Sequence, residues 1–203
     1  MVPSARSRRS IRTTSRRRLL AATGAGLATA LAGCGDLRTR TLDRPETVEE
    51  DGQTHLHFDD GDRRTATISL VDRWDAGRLP YAIRLPAWHA ADTYLERLRY
   101  ELRPLGGAGT PEFSLTRPGG YPWEPIEFAR GDDPEVTVIA VPELGVQGRG
   151  SVAFDLLVEP RNDEAFELRL DVAATVESSG VLGRTYELEG NLVRTLPGYD
   201  RFD

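Results

Sequence analysis

From residue 54 onward, apolar and polar residues alternate with a period of two, which is the pattern of strands that bury one face. Segments 54–58 and 65–70 show this period on either side of an acidic turn that contains Gly61, so they predict a β-hairpin. The same period, interrupted by Gly, Pro and Asp turns, predicts the further strands Tyr81–Leu85, Tyr94–Arg103, Phe113–Thr116, Ile126–Ala129, Val136–Val141, Ser151–Glu159, Phe166–Val176 and Tyr186–Leu196.

Residues 94–102 fit two patterns. They could form a helix with three leucines on one stripe, or a strand with Leu98, Tyr100 and Leu102 facing inward. We expect a strand, because the charged residues between these three complete the alternation. No β-α-β rhythm appears elsewhere, so the sequence predicts an all-β fold, an antiparallel β-sandwich, and an immunoglobulin-like arrangement is one architecture that fits it. Gly190 interrupts the last strand and predicts a bulge or a close backbone approach.

The first 34 residues follow a different pattern. Seven arginines and no acidic residue precede Leu19, an uncharged run of 15 residues follows, and the small residues Ala32 and Gly33 stand before Cys34. A basic start, an apolar middle and a small-residue cleavage point are the three parts of a signal peptide. The uncharged run is too short and too rich in glycine to predict a membrane-spanning helix.

The segment Ser-Arg-Arg-Arg-Leu-Leu over 15–20, followed by Leu-Ala-Gly-Cys over 31–34, resembles the signal and lipobox of twin-arginine-exported lipoproteins. The overall composition resembles that of haloarchaeal proteins. The resemblance implies that Arg16 and Arg17 form the export signal. It also implies that Cys34 becomes the mature N-terminus, carries lipid on its sulfur, and holds the protein on the extracellular face of the cell membrane.

These patterns divide the chain into three parts. Residues 1–33 are expected to be the signal peptide, residues 34–53 the lipidated N-terminus with a flexible tether, and residues 54–203 the β-sandwich domain. The tether is predicted because residues 35–53 are polar and lack apolar periodicity. An edge strand that includes Thr41 and Leu42 is the alternative for part of this stretch.

Net charge changes when the signal is removed. The loss of seven arginines and no acid takes the formal charge from −6 for 203 residues to about −13 for the remaining 170. A domain this acidic is not expected to bind nucleic acid, or to adhere by itself to an anionic lipid surface. All the basic side chains are arginines, which fits a salt-adapted acidic surface.

Two groups of residues are candidates for ligand binding. His55 and His57 lie two apart on a predicted strand, so both face the same side and could bind zinc or nickel with a carboxylate from the adjoining turn. The alternative is solvent-facing polar alternation, and we assign no metal ligand. Tyr121 and Trp123 lie in a loop rich in Gly and Pro, and Trp74 and Trp88 lie beside turns. Such rings could stack on a sugar or anchor a protein partner, or they could cover the open end of the core.

Several enzyme and cofactor classes are excluded because the sequence lacks the residues or motifs that they need. A blue-copper site needs a free Cys and usually a Met, but the only Cys is the predicted lipid anchor and the only Met is Met1. No Gly-x-Ser-x-Gly motif occurs, and we assign no catalytic residue and no cofactor. The sequence therefore predicts a non-catalytic surface lipoprotein that interacts with another envelope component, either a protein or a glycan. A carbohydrate-binding or divalent-metal-binding surface module is the alternative.

Overall fold

The computed structural model describes residues 38–73, 79–106, 109–116, 126–142, 144, 150–179 and 183–199. Within these ranges the chain forms twelve strands: β1 (Thr39–Leu42), β2 (Glu46–Glu50), β3 (Gln53–Asp60), β4 (Arg63–Asp72), β5 (Tyr81–His89), β6 (Thr93–Leu105), β7 (Glu112–Thr116), β8 (Glu127–Arg130), β9 (Thr137–Val141), β10 (Ser151–Glu159), β11 (Phe166–Ser178) and β12 (Thr185–Leu196). The described residues include no helix that is long and apolar enough to cross a membrane.

The strands form two six-stranded sheets. Sheet I has the order β1-β12-β11-β6-β9-β8, and sheet II has the order β2-β3-β4-β5-β10-β7. Neighbouring strands pair antiparallel, except that β1 runs parallel to β12. The inward residues of both sheets form one hydrophobic core. In this core the Tyr100 ring of sheet I packs edge to face on the Phe154 ring of sheet II, with the ring centroids 6.3 Å apart. The predicted antiparallel β-sandwich is confirmed.

The ambiguous segment 94–102 is part of strand β6, as expected, and a bulge explains why its leucines resemble a helical stripe. The register with β11 shifts between Thr175 and Val176, so one extra residue of β6 stands between Leu95 and Arg97. This shift turns Leu95 inward together with Leu98 and Leu102, and all three are buried. The helix-like spacing therefore comes from a bulge that changes the phase of the alternation.

The N-terminal boundary of the domain differs from the prediction. Strands β1 and β2 lie inside the stretch assigned to the tether, and the compact unit begins at Thr39 rather than at residue 54. The edge-strand alternative at Thr41 and Leu42 is the one that the structure shows. Both strands lie at sheet edges and expose most of their side chains, so they need little apolar periodicity. Polar composition therefore did not indicate a tether here.

Gly190 allows the close approach that its place in the last strand predicts. Pairing with β11 runs without a shift through Val172 and Gly190, so there is no bulge at this position. A Cβ atom at residue 190 would lie 2.8 Å from Cγ of Pro45, in the link between β1 and β2, and 3.3 Å from Cζ of Phe58. The missing side chain lets this link cross from sheet I to sheet II in contact with the core.

Tyr100 supplies a stability prediction from the core. Its side chain is fully buried, and its hydroxyl has no hydrogen-bond partner among the described residues. Burial raises the pKa of this hydroxyl. Because an unpaired buried hydroxyl carries a desolvation cost, Tyr100→Phe should raise the free energy of unfolding by about 1 kcal/mol in denaturant titrations.

Tyr81 is the matched control for this change. It is also buried, but its hydroxyl donates a hydrogen bond to the carbonyl of Pro197 at 3.2 Å. Tyr81→Phe should therefore lower the free energy of unfolding by about 1 kcal/mol. If both substitutions destabilise the protein equally, the Tyr100 hydroxyl has a hydrogen-bond partner, and the assignment of an unpaired buried hydroxyl is wrong.

Candidate functional site

The two outer faces of the sandwich carry very different charge. Strands β6, β11 and β12 of sheet I place several ion pairs on the outer face of this sheet, beside a mainly apolar depression that is lined in part by Ala140, Pro142 and Ala173. Arg99 bonds to Glu101 at 2.8 Å, and Arg169 pairs with Asp171 at 2.8 Å. A second depression on this face is lined by Asp43, Arg99, Glu101, Asp171 and Glu189 together with the uncharged residues Val172, Ala173, Gly190 and Asn191.

On the outer face of sheet II, the Arg84–Asp155 ion pair lies in mid-strand, and the area on the Trp88 side of this pair has almost no charge. Strand pairing brings uncharged residues from five neighbouring strands into two rows. We call this set the neutral platform, and its members are Val48, His55, His57, Thr67, Ser69, Pro86, Trp88, Ser151 and Ala153. Glu46, opposite His57 on strand β2, marks its acidic edge. In a chain with 29% charged residues, an uncharged area of this extent is a distinct surface.

Trp88 is the largest side chain of the neutral platform. Its residue is 40% exposed, and its cross-strand neighbours are Thr67 on β4 and Ser151 on β10. Both neighbours are short, so neither can cover the indole. The indole edge lies towards Gly150, where a Cβ atom would be 3.7 Å from Nε1. Trp88 therefore does not cover the end of the core, and its ring is available to a ligand.

The two histidines lie side by side on the platform, as the period of two predicts. Their rings are stacked, with centroids 5.8 Å apart and planes within 3° of parallel. Nδ1 of His55 is hydrogen-bonded to the Ser69 hydroxyl at 2.7 Å, and Nδ1 of His57 to the Thr67 hydroxyl at 3.1 Å. Only the Nε2 atoms then remain for a ligand.

The protonation of His57 follows from its surroundings. Burial, the charge of Arg64 and the neighbouring His55 lower the pKa of His57, against the smaller opposing effects of Asp59 and Glu46. The ring of His57 is therefore neutral at neutral pH. A neutral imidazole offers one hydrogen-bond donor and one acceptor, so it adds polar groups to the platform without adding charge.

Two of the carboxylates that could complete a metal site, those of Asp59 and Asp60, are engaged elsewhere. Asp59 pairs with Arg64 at 2.5 Å, and Asp60 accepts hydrogen bonds from Arg184 and Tyr186. Nowhere in the part of the chain that the structure describes do three His, Cys, Asp or Glu side chains converge on a possible metal position. The described residues therefore offer no third ligand to a metal ion bound by His55 and His57.

The other candidates lie elsewhere. Cys34, Arg16, Arg17, Trp74, Tyr121 and Trp123 are outside the described residues. His89 points into the core, where its Nδ1 lies 3.2 Å from both the Ala90 carbonyl and the Thr93 hydroxyl. Sequence reasoning did not group Trp88 with the histidines. Only strand pairing places Thr67 between Trp88 and His57, and no local motif signals that arrangement.

Comparison with solved structures finds β-domains of low identity. The cohesin module of a family 33 glycoside hydrolase from Clostridium perfringens ATCC13124 is 16% identical, over 66% of this chain and 94% of that module, with a TM-score of 0.36. The human F-spondin reeler domain is 12% identical, over 79% of this chain and 95% of that domain, with a TM-score of 0.36. A comparison with curated proteins finds no match. A family model described as a domain of unknown function (DUF8121) matches residues 38–198, and the chain belongs to this family.

Proposed function

We propose that this protein is a lipid-anchored, non-catalytic binding module of the cell surface, and that its neutral platform contacts another envelope component. The contrast between the two outer faces carries this proposal. Binding removes water from the contact surface, and desolvating a charged side chain costs more than desolvating an uncharged one. The centres of protein interaction sites are accordingly depleted of charged residues and enriched in aromatic ones.

The charge of the domain supports the choice of face. With a formal charge near −13 after removal of the signal, most of the surface of this chain is strongly hydrated. The outer face of sheet I would have to desolvate several ion pairs on binding, including Arg99 with Glu101 and Arg169 with Asp171. The neutral platform presents an exposed indole and short polar side chains instead.

The anchor is proposed from the resemblance of the first 34 residues to exported lipoproteins. A two-chain lipid on Cys34 would hold the domain stably at the membrane, because each buried methylene contributes about 0.8 kcal/mol. Cys34→Ser should move the protein from the membrane fraction to the medium, or leave it as uncleaved precursor. Immunoblots of fractionated cells measure this, and unmodified full-length protein in the cytosol of wild-type cells would contradict the anchor.

Trp88 gives the direct test of the binding face. Detergent-extracted, full-chain lipoprotein should bind isolated cell envelopes saturably, and Trp88→Ala should weaken that binding by about tenfold, or about 1.4 kcal/mol. Phe128→Ala is the matched control, because Phe128 is also 40% exposed but lies on edge strand β8 of sheet I. This control should bind envelopes as the wild type does.

Two results would contradict the proposal. One is the absence of saturable envelope binding by the wild-type protein. The other is an equal loss of binding in Trp88→Ala and Phe128→Ala, since a general effect of removing exposed apolar surface would then account for both. Thermal unfolding of each variant should show that the fold is intact.

A further inference from the structure

We propose that the ligand of the neutral platform is a neutral glycan, with one sugar ring stacked on the indole of Trp88. This inference rests on the proposed function and assigns its ligand class. Four observations on the described residues support it: the exposed ring, the polar groups in its row, the lack of a second large exposed apolar side chain on the platform, and the lack of an arginine among the platform residues.

The surroundings of Trp88 suit stacking against a sugar. The flat face of a pyranose carries C–H groups that pack on an aromatic ring, and a Trp side chain loses little conformational entropy when it is contacted. Stacking requires that no long side chain lies beside the ring. Thr67 and Ser151 flank the indole on the neighbouring strands, and Pro86 lies two residues before it on the same strand. All three are short.

Polar groups continue the row beyond the indole. Strand pairing orders the row as Ser151, Trp88, Thr67 and His57 across four neighbouring strands. Trp88 and His57 are two strand spacings apart, or about 10 Å, which leaves room for more than one sugar ring. The Thr67 hydroxyl is hydrogen-bonded to Nδ1 of His57, so Nε2 is the ring atom of His57 that remains to bond a sugar hydroxyl.

The apolar area is small for a protein partner. Stable protein interfaces bury at least about 1,000 Å² and depend on a cluster of large anchor side chains. Among the described residues, the large hydrophobic side chains that are exposed are Trp88, Phe128 and Val193, and only Trp88 lies on the neutral platform. One ring is enough to stack on a sugar but makes a sparse protein interface.

Charge argues against an anionic ligand. Among the described residues the platform carries no arginine, and two arginines near it are paired with acids. Arg84 forms a bidentate pair with Asp155 at 2.6 and 2.7 Å, and Arg64 pairs with Asp59. Sulfated or carboxylated sugars would therefore meet Glu46 and an acidic domain, with no arginine among the described platform residues to compensate the charge. A neutral glycan avoids this repulsion.

The test uses the envelope binding assay with the mature lipoprotein, two treatments of the envelopes and a set of competing glycans. Periodate, which cleaves sugar diols, should abolish binding, whereas protease digestion should leave it within about threefold. Glycans released from the envelopes and separated by anion exchange are then used as competitors. The neutral fraction should compete, and its competition should require Trp88.

Variants make the test specific to stacking. Trp88→Ala should lose at least tenfold in affinity for the neutral fraction, and Trp88→Phe should recover most of it because a flat ring is restored. Ser151→Arg, at an exposed position beside the indole, should block the sugar without disturbing the core. This second variant keeps the test decisive if Trp88→Ala fails to fold.

The outcomes separate this inference from the proposed function. Binding that depends on Trp88 but resists periodate and is lost after protease digestion would overturn the glycan assignment and retain a binding module for a protein. Competition by the anionic fraction alone would also overturn it. Absence of saturable envelope binding would overturn both proposals.

Discussion

Replacing Gly198 with alanine should lower the free energy of unfolding by about 3 kcal/mol or more, the upper end of the cost of inserting atoms into a packed site. A Cβ atom at this position would lie 2.3 Å from the carbonyl oxygen of Asp163 and 2.5 Å from that of Glu164. Both oxygens belong to the backbone, so no change of side-chain rotamer relieves the overlap. The segment after β12 would have to leave the β10–β11 turn, breaking the hydrogen bond from the Tyr199 amide to the Asn162 carbonyl.

Gly61→Ala is the control for this change. Gly61 lies in the β3–β4 turn with a positive φ of 67°, but nothing is within 4 Å of the position of its missing Cβ. This substitution should cost only the backbone strain of a left-handed residue, about 1 kcal/mol. Denaturant titrations measure the free energy of unfolding of both variants. An equal loss in the two variants would show that Gly198 is not sterically required.

Asp60→Asn should lower the free energy of unfolding by about 2 kcal/mol at neutral pH. The Asp60 carboxylate, at the end of β3 in sheet II, is only 12% exposed and pairs with Arg40 on β1 of sheet I. It also accepts hydrogen bonds from Arg184 at 2.9 Å and from the Tyr186 hydroxyl at 3.0 Å. The arginines are about half exposed, so each ion pair contributes at most about 1 kcal/mol, and the two pairs together with the Tyr186 hydrogen bond account for this figure.

The pH dependence of this effect has a defined sign. Burial alone would raise the pKa of Asp60, but the Tyr186 hydrogen bond and the charges of Arg40 and Arg184 outweigh it, so the pKa is lowered. A carboxyl with a lowered pKa in the folded state contributes stability above about pH 4 and loses it as the pH falls through the folded value. The difference in stability between wild type and Asp60→Asn should therefore narrow below pH 4.

Asp59→Asn provides the comparison for Asp60. Asp59 is the preceding residue and pairs with Arg64, but both side chains are about one-third exposed. A surface pair of this kind contributes at most about 1 kcal/mol, so Asp59→Asn should change the unfolding free energy less than Asp60→Asn does. If the two variants are equally stable at pH 7, Asp60 does not link the sheets as the structure indicates.

Much of the fold could be predicted from the sequence because half-buried strands have a simple period. Segment 151–159 has its bounds predicted to the residue, since Val152, Phe154, Leu156 and Val158 alternate with exposed or half-exposed positions. Strand β6 was harder to assign because its bulge changes the phase of the pattern. Edge strand β1 was foreseen only as an alternative at Thr41 and Leu42, and β2 was not predicted, because strands with few buried side chains leave almost no hydrophobic signal.

The candidate site could be predicted only in part. The shared face of His55 and His57 followed from their spacing within one strand, since residues two apart point to the same side. The partnership with Trp88 depends on the register of three strands, which sets Thr67 between His57 and Trp88. Each of these residues alone is ordinary. The contrast in charge between the two outer faces becomes visible only when the strand order is known.

Site-specific photo-crosslinking in intact cells tests the neutral platform most directly. A photoreactive residue would be placed at exposed Ser151, beside Trp88, and in a matched strain at Val193, which is 43% exposed on the charged face of sheet I. We expect a discrete adduct from residue 151 that disappears when Trp88→Ala is added, and no adduct from residue 193. An adduct from residue 193 with none from residue 151 would contradict the assignment of the binding face.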